Sequence, residues 1–336
     1  MQRHRDARES RNFSSLETKT AGGFVTEQVP EVVAVVGPTA TGKTALAVRL
    51  AEQLGGEIVN ADAFALYTGM DIGTAKPSIA ERGNIPHHQI DVLDIADDAS
   101  VAAYQRHVRT DIDGIIARGN LPVLVGGSGL YVRAAIDVLE IPPTDPRVRA
   151  RWEAHAATEG TPALYQKLTE LDPQAAAAIE PRNTRRIVRA LEVIELTGRP
   201  FSATMPRREF VRPTAMLGLH LDRDLLDTRI ETRVRGMWRA GLLEEVAALE
   251  QRGLSQTRTA SRAVGYREAL AQLNGTMSEE EAIEATTIAT RRLARRQISW
   301  FTPDPRITWI DAHDPSSVLH TALSTLQQHG LSSPAL

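Results

Sequence analysis

Val32–Val36 is an unbroken run of five apolar residues between polar flanks, too short for a buried helix and rich in β-branched side chains. It predicts a strand covered on both faces. Beyond Gly37 the period changes. Leu46, Ala47, Leu50, Ala51 and Leu54 recur at helical spacing, so an amphipathic helix follows. Glu57-Ile58-Val59-Asn60 predicts a second short strand ending at Asp62. Val101 to Ala117 carries Tyr104, Val108, Ile112 and Ile115 on one helical face. Pro122-Val123-Leu124-Val125 predicts a third strand, running into Gly126-Gly127-Ser128-Gly129. Alternation of this kind predicts an α/β fold, a parallel sheet with helices on both faces. Such sheets bind ligands beyond the carboxyl ends of their strands. The turn after Val36, Asp62 and Ser128 all fall at such ends and are expected around one crevice.

The pattern changes at Ile141-Pro142-Pro143-Thr144-Asp145-Pro146, which predicts a linker. From Arg147 to about Thr197 it is helical and rich in alanine, and Gly198-Arg199-Pro200 stops the last helix. Ala215–Leu219 then predicts a strand rejoining the sheet, helices run to about Trp300, and Ile307–Ile310 predicts a final strand. The expected organisation is an inserted all-helical module in an α/β core. Its parts are a disordered extension over 1–30, the first part of the core over 31–141, the insert over 142–212, the second part over 213–320, and a tail over 321–336.

Composition narrows the function classes. The 336 residues hold no cysteine, which excludes disulfides and thiolate metal sites. No apolar run approaches the roughly 18 residues of a membrane span. A cytoplasmic monomer without a membrane role is the expectation. The net charge of −3 hides an asymmetry: Arg182 to Trp300 holds 21 arginines and no lysine against 15 acidic residues. Arginine gathered in one segment of an acidic protein suits phosphate recognition, and equally suits solvated helices with internal ion pairs.

The chemistry starts at Gly37-Pro38-Thr39-Ala40-Thr41-Gly42-Lys43-Thr44, which fills every fixed position of the phosphate-binding loop G-x-x-x-x-G-K-[ST] between a strand and a helix. Its backbone N–H groups and the helix N-terminus favour an anion. Lys43 would reach the outer phosphate, and the Thr44 hydroxyl would hold Mg2+. A nucleotide hydrolase would also need an apolar strand ending in Asp. Here Val123–Val125 runs into glycines, and the carboxylate stands elsewhere, in Asn60-Ala61-Asp62. Asp62 could take a proton from a nucleophile attacking a group attached to the bound phosphates, or could simply cap a helix. Ser128 could orient an acceptor or belong to a tight turn. His87-His88 has no third metal ligand nearby and is expected in a structural turn, and Trp300-Phe301 is expected in the core.

Several longer stretches point further. Gly37–Thr44, Asn60-Ala61-Asp62, Gly69-Met70-Asp71-Ile72-Gly73-Thr74-Ala75-Lys76 and Ile85-Pro86-His87-His88 are joined by Gly126–Tyr131 and Arg186–Val193. Ala263-Val264-Gly265-Tyr266-Arg267, and Thr290-Arg291-Arg292 through Gln297, Trp300 and Phe301, complete the set. In this order they resemble the tRNA dimethylallyltransferase family, in its bacterial form without an appended zinc finger.

The resemblance implies transfer of a dimethylallyl group from dimethylallyl diphosphate to the exocyclic amine of an adenosine beside the tRNA anticodon. The loop would hold the donor's diphosphate rather than ATP. By resemblance Asp62 is the base, Arg223 helps hold the diphosphate, and Asp62, Ala63, Phe64, Ala65 and Ser128 meet the target nucleotide. Arg149, Arg186, Arg189, Arg262, Gly265 and Arg267 touch the anticodon stem-loop. On a helical wheel Arg182, Arg185, Arg186 and Arg189 share one face and Ile187, Leu191 and Ile194 the other, which suits that use.

Two positions depart from the family's usual pattern: Ala65 stands where Gln is usual and Thr68 where Arg is usual. Losing a buried amide that reads a base costs on the order of 1–3 kcal/mol, so acceptor recognition is the property these changes affect. Competing readings are a prenyltransferase acting on free adenosine phosphates, a P-loop small-molecule kinase, and a tRNA-binding module without turnover.

Overall fold

A computed structural model describes residues 29–204 and 207–331; the expectations for most of the N-terminal extension and for the last five residues lie outside this range. The strands are β1 (Val32–Val36), β2 (Gly56–Asn60), β3 (His87–His88), β4 (Leu121–Gly126), β5 (Thr214–His220) and β6 (Ile307–Asp311). They form one parallel sheet in the order β3-β2-β4-β1-β5-β6.

The first helices are α1 (Lys43–Leu54), α2 (Ile79–Arg82), α3 (Val101–Ala117) and α4 (Gly129–Ile136). Four more make the insert: α5 (Pro146–Glu159), α6 (Thr161–Leu171), α7 (Pro173–Ala178) and α8 (Thr184–Thr197). After β5 come α9 (Arg223–Arg239), α10 (Leu242–Glu250), α11 (Tyr266–Leu273), α12 (Glu279–Phe301) and, after β6, α13 (Pro315–Gln328).

The alternation of β1 explains why its sequence shows no polar side. Val33 and Val35 pack into the core shared with α1 and α9 to α13, while Val32, Ala34 and Val36 pack against α3 and α4. Both faces are covered, so every position is apolar. The insert has its own small core of Leu164, Leu168, Ala175, Ile179, Ile187, Val188 and Leu191.

Three local expectations change. His87-His88 is a two-residue edge strand paired to Ile58 and Val59 rather than a turn. Position 321 falls inside α13, whose Ala322 and Leu326 are fully buried against the core, so the sequence up to Gln328 is part of the domain and not a tail. Phe301 is core as expected, whereas Trp300 is 41% exposed.

Candidate active site

The phosphate-binding loop is shaped by backbone geometry. Gly37 has φ of 133°, and a Cβ there would stand 2.6 Å from the Leu219 carbonyl oxygen of β5. Gly42, immediately before α1, has φ of 91°, a left-handed value that glycine adopts without strain. Thr41 Oγ1 donates to the Pro38 carbonyl at 2.9 Å, and Lys43 Nζ donates to the same oxygen at 2.5 Å. Lys43 therefore folds back over the loop.

Two side chains from distant elements complete the loop. Gln297 of α12 accepts from the Thr39 N–H at 2.8 Å, and Arg233 of α9 donates to Thr39 Oγ1 at 3.2 Å. Arg233 lines the cavity beside Lys43. Arg223, the expected diphosphate arginine, is the exposed first residue of α9 and does not line the cavity. The arginine that the fold brings to this loop is Arg233, ten residues further on.

Asp62 is held by its neighbours in sequence. Asn60 is buried; its Oδ1 accepts from the Asp62 N–H at 3.0 Å, and its Nδ2 donates to the carbonyls of Asp62 at 2.9 Å and Gln89 at 2.8 Å. Asp62 Oδ1 accepts from the Phe64 N–H at 3.0 Å, a side-chain turn rather than a helix cap. Ser128 precedes α4 without capping it; instead its Oγ approaches the Ala63 N–H at 3.4 Å. The structure thus brings Asp62, Ala63 and Ser128 together. Phe64 leans into the core, and Ala65 is a buried wall of the cavity.

The glycines around Ser128 are required by packing. A Cβ on Gly126 would run into the Ala61 carbonyl, one on Gly127 into the Gln297 amide, and one on Gly129 into the Trp300 ring. The run lets β4 and α4 press against the Asp62 turn on one side and α12 on the other.

The cavity, about 90 Å3, is lined by Lys43, Thr44, Asp62 and Arg233 together with the apolar side chains of Ile58, Ala65, Ile90 and Val125. It shares Ala75, Lys76, Pro77 and Arg233 with a wider recess toward α2. Burial, and then the charge of Arg233, push the Lys43 ammonium down to about 7, with Asp62 pulling the other way. Burial also lowers Arg233, again opposed by Asp62. Two enclosed cations against one carboxylate leave a site that gains from an anion.

The segment Gly69–Lys76 is anchored from behind. The Glu245 carboxylate accepts from the N–H groups of Asp71 at 3.1 Å, Ile72 at 2.8 Å and Gly73 at 3.4 Å, and from the Tyr266 hydroxyl at 2.5 Å. Lys76 Nζ, almost fully buried, bridges Asp71 at 2.7 Å and Asp91 at 2.5 Å. Gly265 precedes Tyr266 and donates its N–H to Glu268 at the start of α11, at 2.9 Å; Arg262 and Arg267 of the same stretch are exposed, Arg267 paired with Glu268 at 2.6 Å.

The expected arginine face of the insert divides in two. Arg185 and Arg186 are exposed. Arg149 and Arg189 turn inward to the fully buried Glu192, at 2.8 and 2.9 Å, and Arg189 also donates to the carbonyls of Pro142 and Pro143. A row of four outward guanidinium groups is therefore not what α8 presents.

Among the described residues no cluster of three or more His, Cys, Asp or Glu side chains could hold a metal ion, and no helix is long and apolar enough to cross a membrane.

A loop of phosphate-binding sequence with two enclosed cations, a carboxylate at another strand end and apolar side chains in the same cavity suit a group-transfer enzyme. Residues 65–304 match the family model described as IPP transferase. The chain belongs to the IPP transferase family. It is 55% identical over 302 residues to the tRNA dimethylallyltransferase of Kineococcus radiotolerans, covering 88% of this chain and 95% of that one. To the enzyme of the same name from Streptomyces coelicolor it is 53% identical over 301 residues, covering 89% and 96%. Among solved structures it is similar to the tRNA isopentenylpyrophosphate transferase of Bacillus halodurans, with TM-score 0.65, 39% identity and coverage of 89% and 97%. It is also similar to a eukaryotic dimethylallyltransferase acting on tRNA, with TM-score 0.77, 26% identity and coverage of 90% and 81%. The family and fold class expected from the motifs are those found.

Proposed function

We propose that the protein transfers the dimethylallyl group of dimethylallyl diphosphate to the exocyclic amine of the adenosine adjacent to the anticodon in tRNA, releasing diphosphate. The observation that carries this reading is the position of Asp62 in one cavity with Lys43, Arg233 and an apolar wall. The names of the relatives, tRNA dimethylallyltransferase, agree with it.

The site chemistry follows. Burying five carbons against Ile58, Ala65, Ile90 and Val125 is worth roughly 4 kcal/mol, at about 0.8 per methylene. That is too little for selective capture, so the diphosphate supplies most of the grip. The amine nitrogen forms a bond to the allylic carbon as the carbon–oxygen bond to the diphosphate breaks. Asp62 takes the proton the amine loses, and Lys43 and Arg233 offset the charge that develops on the departing diphosphate. Ser128, across from Asp62, would orient the acceptor.

Thr44 lines the cavity beside the phosphate position, and Mg2+ takes phosphate oxygens and water with only one or two protein ligands. The Thr44 hydroxyl would hold it, and the ion would supply further charge neutralisation to the diphosphate. The protein's action on a single RNA substrate requires neither a membrane nor a second subunit, and we assign it as a cytoplasmic monomer.

The test is transfer of labelled dimethylallyl from its diphosphate to an anticodon stem-loop RNA, with free AMP as the competing acceptor. Asp62→Ala is expected to lower transfer at least about 100-fold while RNA affinity stays within a factor of two or so. ATP consumption without prenyl transfer, transfer to AMP in preference to RNA, or RNA binding lost together with activity in Asp62→Ala would each refute the reading.

A further inference from the structure

Lys76 is buried, charged and unused by the chemistry above. Its side chain is 1% exposed. Its ammonium donates to the Tyr67 carbonyl at 2.5 Å, to Asp71 at 2.7 Å and to Asp91 at 2.5 Å. An ammonium has three N–H bonds, so none is left for a substrate.

What the lysine holds is a strained turn. Ala75, its neighbour, has φ of 51°, a left-handed value that is costly for a residue with a Cβ. The Ala75 N–H donates to the Ile72 carbonyl and the Lys76 N–H to the Asp71 carbonyl, both at 3.0 Å, and Glu245 grips the N–H groups of Asp71, Ile72 and Gly73 from behind. Backbone strain persists only where the surroundings over-determine it, and it gathers at functional sites.

The place of the turn gives the strain a use. Ala75, Lys76 and Pro77 line the catalytic cavity on one side and the recess toward α2 on the other. They form the partition between a cavity of about 90 Å3 and a recess of about 630 Å3, whose wall includes the exposed Ile79. Arg233, beside the diphosphate position, stands at the edge of both.

We propose that Lys76 is a positioning residue that keeps this partition shut and thereby keeps water from the allylic carbon of the donor. The proposal rests on the prenyl-donor reading above and deepens it. An allylic diphosphate reacts with whichever nucleophile is in reach as its carbon–oxygen bond breaks. With the partition in place, that nucleophile is the RNA amine beside Asp62. With the partition displaced, water enters from the recess. The water oxygen then bonds to the allylic carbon, the diphosphate leaves with the electron pair, and the water's proton passes to Asp62 or to solvent, giving a five-carbon alcohol. Preventing such a side reaction is one of the things closure of an active site achieves.

The experiment follows labelled dimethylallyl diphosphate with the full-length protein, with and without anticodon stem-loop RNA, and counts alcohol released against prenyl group transferred. Lys76→Met keeps the length of the side chain and removes its donors. It is expected to raise the ratio of alcohol to transferred prenyl by about tenfold or more, the worth of one hydrogen bond to a charged group, with Kd for RNA unchanged. Asp91→Asn suits the left-handed backbone there, φ 56°, and leaves Lys76 its bonds to Tyr67 and Asp71. It shifts the ratio in the same direction by less. Ala75→Gly added to Lys76→Met removes the strain that drives the turn open and brings the ratio back by roughly fivefold. A general loss of packing predicts the reverse, because glycine adds chain freedom and mends nothing.

An unchanged ratio in Asp91→Asn and in folded Lys76→Met, or a higher ratio on adding Ala75→Gly, would overturn the proposal; if Lys76→Met does not fold, Asp91→Asn decides alone. Failure of the wild type to transfer any prenyl group to RNA would instead count against the proposed reaction. Alcohol release without RNA, higher in the variants than in the wild type, would still show that the partition excludes water, and equal release in all of them would show that it does not.

Discussion

The proposed seat of the donor's diphosphate beside Lys43 predicts that donor binding takes up a proton. The Lys43 ammonium is pushed down to about 7 by burial and by Arg233. A diphosphate against it restores at least the ordinary lysine value of about 10.4. The bound state then holds more protons than the free state, so affinity falls as pH rises above 7 and levels off below it. With those two values, Kd for dimethylallyl diphosphate rises about 50-fold between pH 7 and pH 9, close to 2.3 kcal/mol. The donor's terminal phosphate loses its last proton near pH 6, as phosphate esters do, and so does not contribute above pH 7. Calorimetric titration at pH 8 in two buffers of different ionisation enthalpy reads the coupling directly, with an expected uptake of about 0.9 proton per donor bound. Lys43→Arg keeps the charge but not the titration, and its uptake should vanish. A Kd independent of pH between 7 and 9, or the same uptake in Lys43→Arg, would refute the argument that burial and Arg233 hold this lysine near neutrality.

Three further outcomes are expected. Arg233→Gln should raise KM for dimethylallyl diphosphate by about 10- to 100-fold, the worth of roughly 1.5–3 kcal/mol for a hydrogen bond to a charged group. Arg223→Gln should change it by less than about twofold, and steady-state kinetics with both variants separates the two arginines. Glu192→Ala leaves Arg149 and Arg189 facing each other without their shared carboxylate and should cost about 3–5 kcal/mol in denaturant unfolding. Ala65→Gln places an amide on the cavity wall and should lower KM for intact stem-loop RNA by up to about tenfold, a gain of roughly 1 kcal/mol per hydrogen bond, with KM for the donor unmoved; a raised donor KM would show that the added side chain only fills the cavity.

What was legible in the sequence were features that leave a periodic or fixed-spacing signal. The buried strands β1, β2 and β4 are apolar at nearly every position because helices cover both faces, and the phosphate-binding loop has few ways to be built. What was hidden depends on position within a helix or on a distant partner. The edge strand β3 has two residues, both histidine, and its pairing to β2 is set by the Pro86 carbonyl accepting from the Ile58 N–H at 2.9 Å. Among the five arginines of α9, motif alignment favoured Arg223. Yet α9 buries Leu226, Ile230, Val234 and Trp238, and Arg233 falls beside that stripe between Ile230 and Met237. A charge entering an apolar stripe is a signal of use elsewhere in the protein, and it was there to be read. The Arg189–Glu192 pair stands at i,i+3 within α8 and was open to the sequence. That Arg149 turns to the same carboxylate could not be read so, because only the packing of α5 against α8 brings it there.

The helix α12 explains how the phosphate-binding loop and the Asp62 turn are held in one register. Gln297 and Trp300 are three residues apart on one helix, and both meet the glycine run that ends β4. Gln297 is buried and clamps the loop through the Thr39 N–H, while Trp300 lies outward against Gly129. The same glycine run that admits both side chains also seats the Ala61 carbonyl of the Asp62 turn. The phosphate-binding loop and the Asp62 turn are therefore both registered against α12 and the end of β4. In-line attack requires the reacting atoms to be held about 3–3.5 Å apart and aligned, and a 1 Å error costs on the order of 100-fold. A small cavity that must align a five-carbon donor with one amine of a large RNA cannot obtain that accuracy from the donor's apolar contacts. It obtains it from a shared support, which is why the packing of Gly126, Gly127 and Gly129 bears on catalysis although none of the three touches a reacting atom through a side chain.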